Sequence, residues 1–196
     1  MNYKSVSIVI PIFNEVKNIF NLIYEIKDNL CNKINYEIIL VNDCSNDNII
    51  ELYEDTKFDI SVKLISNTSR FGQSYSIRKG VENAQYNTIV TLDGDGQNNP
   101  KDIFKLIEIY YNSNYDLVGG IRYQRKDNII KIISSRVANS IRKFIFKDKC
   151  PDTGCSLKVF NKIFFLKIPF FNGMHRFIPA FFTGMNRKTK FVNVDH

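Results

Sequence analysis

The sequence predicts an α/β fold: a doubly wound, mostly parallel sheet with helices on both faces. Three observations carry this. Short β-branched runs recur at residues 6–12, 36–41, 62–66 and 88–92, and they are predominantly apolar instead of strictly alternating. Helix-compatible segments separate them. Polar residues follow the runs directly, as in Asn14-Glu15, Asp43 and Asp93-Gly94-Asp95. Continuous apolar strands belong to sheets covered on both faces. Strands that alternate with helices give parallel βαβ units with right-handed crossovers.

The elements follow in order. Residues 6–12 form the first strand, which ends in Pro11-Ile12. Asn14 and Glu15 open a helix that runs to about Leu30. Residues 36–41 are the second strand. The polar run Asn42-Asp43-Cys44-Ser45-Asn46-Asp47 then turns the chain into a short helix. A third strand at 62–66, a helix at 72–84 and a fourth strand at 88–92 complete the regular part. Next comes a helix at 100–111 with Pro100 in its first turn, where a missing N–H costs nothing. A strand is expected at 116–121. In residues 129–146, Ile130, Ile133, Val137, Ile141 and Phe144 recur at spacings of three and four, the mark of an amphipathic helix. A strand-like run follows Pro151. After it come an aromatic-rich stretch at 160–171, for which a core position is the default, and a last strand at 191–194. No repeat, low-complexity tract or linker interrupts the chain, so residues 1–196 read as a single domain.

Composition narrows the function. With 196 residues and 44% hydrophobic content the chain can bury one sizeable core. Its 24% charged and 13% aromatic residues exclude global disorder. Four cysteines without a CxxC pair and only two histidines argue against a zinc site, and four reduced thiols of a cytosolic protein are expected. Residues 121–150 hold nine Lys/Arg against two acids and account for the whole net charge of +7; the remainder balances at 18 and 18. Such a block points to a phosphate-bearing partner at one place on the surface. No nucleic-acid motif accompanies it, so no nucleic-acid partner is expected. No apolar run precedes the first strand and no stretch of 18 apolar residues occurs. Neither a signal peptide nor a membrane span is therefore expected.

Ligands of an open parallel sheet bind beyond the carboxyl ends of its strands. Asp93 and Asp95 stand at one such end. On extended backbone, residues at i and i+2 point to one side. Two carboxylates there suit a hard divalent cation, Mg²⁺ or Mn²⁺, and leave positions for phosphate oxygens and water. Gln97 adds a neutral oxygen. Alone, the pair would read as a solvated turn. Its place after the fourth strand, beside two other acidic strand ends, makes it a candidate metal site. The first strand is followed by neither GxGxxG nor GxxxxGK[ST]. That argues against a nicotinamide dehydrogenase and a P-loop ATPase, and leaves carboxylates and a metal to hold a nucleotide. Arg122, Arg125, Lys126 and Lys131 read as an acceptor-phosphate or membrane contact, against the plainer alternative of an exposed basic face.

Several segments taken together resemble glycosyltransferase family 2. These are Val9-Ile10-Pro11-Ile12-Phe13-Asn14-Glu15, Val41-Asn42-Asp43-Cys44-Ser45-Asn46-Asp47, Arg70-Phe71-Gly72-Gln73 and Leu92-Asp93-Gly94-Asp95-Gly96-Gln97-Asn98-Asn99-Pro100. Later segments are similar to the polyprenyl- and dolichyl-phosphate sugar synthases within that family: Val118-Gly119-Gly120-Ile121-Arg122, Ser135-Arg136-Val137-Ala138-Asn139, Asp152-Thr153-Gly154-Cys155-Ser156-Leu157-Lys158 and His175-Arg176-Phe177-Ile178-Pro179. The match runs from about residue 5 to the end.

The resemblance implies a Rossmann-like glycosyltransferase A fold. Residues 1–100 would be its nucleotide-sugar-binding half and 101–196 its acceptor-binding half. It implies inverting transfer from a GDP- or UDP-sugar to a polyprenyl phosphate, with the protein peripheral to the cytoplasmic membrane face. Pro11, Asn14, Glu15, Asp43 and Arg70 match donor-binding positions. Asp93, Asp95 and Gln97 match the metal and diphosphate site. Arg122, Lys131 and Ser135 match positions near the acceptor phosphate. Asp95, Asp152 and Arg122 are the candidate catalytic residues and Arg176 a candidate substrate contact; for Asp152 and Arg176 this rests mostly on the resemblance, against a turn-initiating role for Asp152 and pairing with a nearby acid for Arg176. Lys131 stands where an arginine is common, a point charge in place of a bidentate fork. Cys44 stands where the family usually has glycine. Relatives usually continue past Val194-Asp195-His196 with an Arg-rich segment that supplies basic residues to the diphosphate or acceptor, so a missing C-terminal segment is expected. Two other readings stay open: a family-2 transferase acting on a sugar or lipid hydroxyl, and a truncated protein that only binds nucleotide. His175 reads as a structural hydrogen-bonder.

Overall fold

The computed structural model describes residues 5–122 and 150–195. The expected helix at 129–146 and the site candidates Lys131 and Ser135 lie outside the described residues, as does nearly all of the basic block.

Strands β1 (Ser5–Ile12) and β2 (Asn35–Asn42) are buried almost residue by residue. Each has a parallel neighbour on either edge, and the sheet has helices on both faces, so neither strand needs a polar side. β3 (Val62–Ser66) forms the sheet edge and is only half-buried. With β4 (Thr88–Thr91), β5 (Leu117–Arg122), β6 (Lys158–Asn161) and β7 (Thr189–Val194) the sheet has seven strands in the order β3-β2-β1-β4-β6-β5-β7.

Helices α1 (Val16–Leu30), α2 (Ile49–Asp55) and α4 (Lys101–Asn112) pack on one face of the sheet with Ile8, Ile10, Ile38 and Leu40. On α1 the buried residues Ile19, Leu22, Ile23, Ile26 and Leu30 recur at three and four, as an amphipathic helix requires. Helices α3 (Gln73–Glu82), α5 (Lys162–Leu166) and α6 (Ile178–Gly184) cover the other face, against Val9, Ile39, Val41 and Phe160. Adjacent strand residues thus serve opposite cores, the period-two rule at work. Helix α3 comes very close to the sheet at Gly80, where a Cβ would stand 2.4 Å from a Val9 methyl.

The layout is the expected one, a mostly parallel doubly wound sheet, with one addition. β6 runs antiparallel to both β4 and β5 and separates them. Its first residue, Lys158, pairs with Thr91, the last residue of β4. Residues 152–157 therefore enter the sheet at the same end as Asp93. Helix α1 begins at Val16, not at Asn14, because Asn14 has φ 58 and cannot be helical. The aromatic stretch is largely core: Phe160 and Phe165 are fully buried and Phe164 and Phe171 pack against them in part, whereas Phe170 is 49% exposed. No disulfide joins the four cysteines. Among the described residues, no helix is long and apolar enough to cross a membrane.

Candidate functional site

The order β2-β1-β4 brings three polar strand ends side by side. They open into a cavity of about 260 Å³, lined by Pro11, Phe13, Glu15, Asp43, Arg70 and Gln73 along with Asp93 and Asp95. Six expected site residues thus share one cavity. Asn14 and Gln97 are exposed and do not line it.

The loops after β1 and β2 are tied together. The Asn46 N–H donates to Asn14 Oδ1 at 2.8 Å, and the Asn14 N–H donates to Ser45 Oγ at 3.0 Å. The N–H of Val16, which opens α1, donates to Asp47 Oδ2. Asn14 therefore couples two loops, and any contact it makes to a ligand comes on top of that work. Cys44 adopts φ 63, a left-handed conformation that costs a non-glycine residue about 1–2 kcal/mol. The turn is kept without the usual glycine.

Asp43 is 4% exposed. Its Oδ1 accepts from Asn67 Nδ2 at 2.8 Å and from the Phe71 N–H at 2.9 Å, and its Oδ2 accepts from the Gly72 N–H at 2.8 Å. A carboxylate has about four acceptor sites, so one is left for a ligand. The side chain of Arg70, in the same loop, lies over the Phe13 ring with its guanidinium carbon 3.8 Å from the centroid.

The end of β4 differs from the expected extended arrangement. The strand stops at Thr91, and Gly94-Asp95 form a turn. A Cβ on Gly94 would stand 2.8 Å from an Ile12 methyl, so this turn packs on β1 only because residue 94 is glycine. The two carboxylates converge through a turn instead of through strand pleating. Asp93 Oδ1 accepts from Gln73 Nε2 at 2.7 Å. The Asp93 N–H faces Ser156 Oγ at 3.2 Å, and the Ser156 hydroxyl donates to the buried Asn98 Oδ1 at 2.7 Å. Asp95 Oδ1 accepts from the Gln97 N–H at 3.0 Å. Burial raises the Asp93 pKa above the ordinary carboxylate value and the Asp95 charge adds to the rise, while the Ser156 hydroxyl, Lys158 and Arg122 pull the other way.

The donor set fits a hard divalent cation of one kind. Among the described residues no three His, Cys, Asp or Glu side chains converge as a metal cage. Two carboxylates on an open turn suit Mg²⁺ or Mn²⁺, which commonly complete their shells with substrate phosphates and water.

The later residues of the chain add an ion pair. Arg122 Nε and Nη2 donate to Asp152 Oδ2 and Oδ1 at 2.8 and 2.9 Å, a bidentate bridge with both side chains 12% exposed. Gly154 lets the guanidinium approach, since a Cβ there would be 2.6 Å from Nη2. Lys158 is buried at 4% exposure, and its ammonium donates to the Cys155 carbonyl. Arg176 sits exposed on the 3₁₀ turn Met174–Arg176. In the same turn, His175 Nδ1 lies 2.7 Å from Ser74 Oγ. Burial pushes the His175 pKa down to about 4, helped by Lys158 and Arg176, so the ring is neutral at neutral pH. Its expected structural role is what is found. Gln73, Asn98 and Ser156 escape notice as site residues in the sequence. Gln73 lies within the Arg70–Gln73 segment, but only the folded chain shows that it faces Asp93.

The sequence matches glycosyl transferase family 2 over residues 7–170. It is 32% identical over 185 residues to dodecaprenyl-phosphate galacturonate synthase of Rhizobium johnstonii, covering 91% of this chain and 54% of that protein. It is also 32% identical over 197 residues to undecaprenyl-phosphate 4-deoxy-4-formamido-L-arabinose transferase of Pectobacterium atrosepticum, covering 98% of this chain and 60% of that one. The chain thus spans little more than half the length of these relatives. Among solved structures, the fold is similar to Mycobacterium tuberculosis glucosyl-3-phosphoglycerate synthase in complex with Mn²⁺, UDP and glucosyl-3-phosphoglycerate. The TM-score is 0.74 at 16% identity, over 98% of this chain and 70% of that one. A Pyrobaculum calidifontis mannosyltransferase in complex with GDP-Man and Mn²⁺ gives a TM-score of 0.72 at 16% identity, over 97% and 56%.

Proposed function

This chain belongs to glycosyl transferase family 2, and we propose that it transfers a sugar from a nucleotide-sugar donor to a polyprenyl phosphate. The observation that carries the reading is the convergence of Asp93 and Asp95 on the same cavity as Pro11, Glu15, Asp43 and Arg70. In this reading the donor lies across the ends of β2, β1 and β4, with its nucleoside toward Asp43 and Arg70 and its diphosphate toward Asp93 and Asp95. A bound Mg²⁺ or Mn²⁺ supplies positive charge for the departing diphosphate. Asp93 and Asp95 hold it, and Gln97 is the neutral oxygen next in the chain. A GDP- or UDP-sugar is the proposed donor class, supported by the GDP-Man and UDP in solved complexes of the fold neighbours.

An acceptor phosphate oxygen forms a bond to the sugar anomeric carbon while the bond from that carbon to the diphosphate breaks. The nucleoside diphosphate leaves with the electron pair, and the configuration inverts. A lipid monophosphate is already an anion near neutral pH, so it needs placement more than deprotonation. Arg122 is the proposed acceptor contact, oriented by Asp152, and Lys131, Ser135 and Arg176 are proposed beside it. The polyprenyl acceptor is supported by the two relatives, both named for polyprenyl-phosphate substrates. Because such an acceptor stays in the bilayer and nucleotide sugars are cytosolic, the protein is proposed to lie peripherally on the cytoplasmic membrane face.

The test is a transfer assay with Mn²⁺, undecaprenyl phosphate and a panel of radiolabelled GDP- and UDP-sugars. Label that partitions into organic solvent supports the reading. Label transferred only to a water-soluble acceptor overturns the lipid-phosphate assignment, and no transfer or donor hydrolysis with any nucleotide sugar leaves nucleotide binding alone.

A further inference from the structure

The amino end of α3 is one place where later residues of the chain pack on earlier ones. Gly72, the residue before the helix, has φ 88, and no side chain caps the helix. Its position is fixed from outside instead. On one side, Asp43 accepts from the Phe71 and Gly72 N–H groups. On the other side stands the turn Met174–Arg176 from the second half of the chain. The Ser74 hydroxyl, 2% exposed, accepts from the Gly173 N–H at 3.1 Å and the His175 N–H at 3.4 Å, and meets His175 Nδ1 at 2.7 Å. With two N–H groups on Oγ, the hydroxyl proton is directed to Nδ1. That nitrogen is then the acceptor and Nε2 carries the ring proton. Between these anchors, Gln73 extends its amide to Asp93 Oδ1 at 2.7 Å.

We propose that Gln73 is a positioning residue for the metal carboxylate of Asp93, and that the Ser74–His175 pair is the brace that holds Gln73 in place. The proposal rests on reading Asp93 as a cation ligand. A carboxylate with one oxygen fixed by an N–H donor has fewer orientations to lose when it binds a cation. It still offers Oδ2 and the second lone pair of Oδ1. Partners of this kind set the affinity of the ligands they touch. Ser74 adjoins Gln73 in the first turn of α3, so a shift of the helix end moves both. The path runs Asp93 to Gln73, along the backbone to Ser74, and across to His175 and the exposed Arg176. It registers the turn that bears Arg176 against the acidic end of β4, although the two are 83 residues apart in sequence.

The experiment is a Mn²⁺ titration of the full chain, alone and with UDP or GDP, read by electron paramagnetic resonance, with melting temperature recorded in parallel. Gln73→Ala is expected to weaken Mn²⁺ about tenfold. Ser74→Ala should weaken it severalfold, and Ser74→Thr, which keeps the hydroxyl, should restore it. His175→Asn places an acceptor near the position of Nδ1 and should bind Mn²⁺ like the unaltered chain, while His175→Gln should resemble Ser74→Ala. A Gln73→Ala affinity within twofold of the unaltered chain overturns the positioning role. Equal affinities for His175→Asn and His175→Gln overturn the brace, as does a fall in melting temperature of Ser74→Ala with no change in Mn²⁺ affinity. Absence of Mn²⁺ binding by the unaltered chain, with or without nucleotide, overturns the functional reading and this one with it.

Discussion

Asp43 and Asp93 occupy equivalent places: each follows a buried parallel strand, and β1 alone lies between those strands. Their surroundings differ. Asp43 is enclosed by three N–H donors, two of them backbone groups that define the start of α3. The Asp93 carboxylate accepts from one side-chain amide and has the Ser156 hydroxyl and a second carboxylate beside it, and burial pushes it toward its protonated form. The first arrangement satisfies the charge within the protein. The second leaves it partly unsatisfied and facing a cavity. A strand-end aspartate is thus a brace or a reactive site according to what surrounds it, and a poorly compensated buried charge is the better sign of chemistry.

The largest effect expected from this contrast is at Asp95. Asp95→Ala should abolish Mn²⁺-dependent thermal stabilisation by nucleoside diphosphate while the protein still folds, because it removes half of a two-carboxylate site on a surface turn. Full metal-dependent stabilisation of the variant would place the cation elsewhere.

Asp43→Ala should cost stability as well as nucleotide binding. It leaves N–H groups of Asn67, Phe71 and Gly72 without their acceptor, at a cost of about 3 kcal/mol, read in a denaturant titration. A variant as stable as the unaltered chain would break the comparison.

A smaller effect concerns the acceptor. Arg122→Gln should raise the acceptor KM about tenfold, the worth of one charge-assisted hydrogen bond, with donor affinity nearly unchanged. Asp152→Asn should give a weaker change in the same direction if Asp152 only orients the guanidinium. An equal loss of donor binding in Arg122→Gln would move this cation to the diphosphate.

The smallest effect has the opposite sign. The pKa of Asp93 is raised, so between the ordinary carboxylate value and the raised one the folded state holds more protons than the unfolded state, and stability falls as pH rises through that window. At neutral pH the ionised carboxylate is a cost. Asp93→Asn keeps an oxygen for the Gln73 amide and removes the charge. It should stabilise the metal-free protein by roughly 1 kcal/mol while losing Mn²⁺, the usual exchange of function for stability. A destabilised Asp93→Asn would show that the two aspartates are braces alike.

Much of this was legible in the chain itself. Apolar runs at 6–12, 36–41, 62–66 and 88–92 became β1 to β4 with boundary differences of at most one residue, because strands of a sheet covered on both faces are predominantly apolar and stand out from the polar turns between them. The acidic strand ends were legible for the same reason, since a carboxylate is rare next to such runs. The extended geometry expected of Asp93 and Asp95 was not correct: Gly94 turns the chain where a strand pleat was expected.

By itself, the sequence determined the alternating layout and the family, and it singled out Asp93 and Asp95 as the carboxylates proposed to hold a cation. Local patterns and short motifs suffice for these. Tertiary structure alone decided that β6 would reverse between β4 and β5, carrying Ser156 and Lys158 to the end of β4 and setting Asp152 against Arg122. It also decided that Asn14 would serve two loops, that Asp43 would take three donors from the protein, that Gln73 would reach Asp93, and that Ser74 would meet His175. These outcomes depend on contacts between residues dozens of positions apart. Neither propensity nor periodicity encodes such contacts, and only the assembled sheet with both faces covered fixes which distant groups share a buried space.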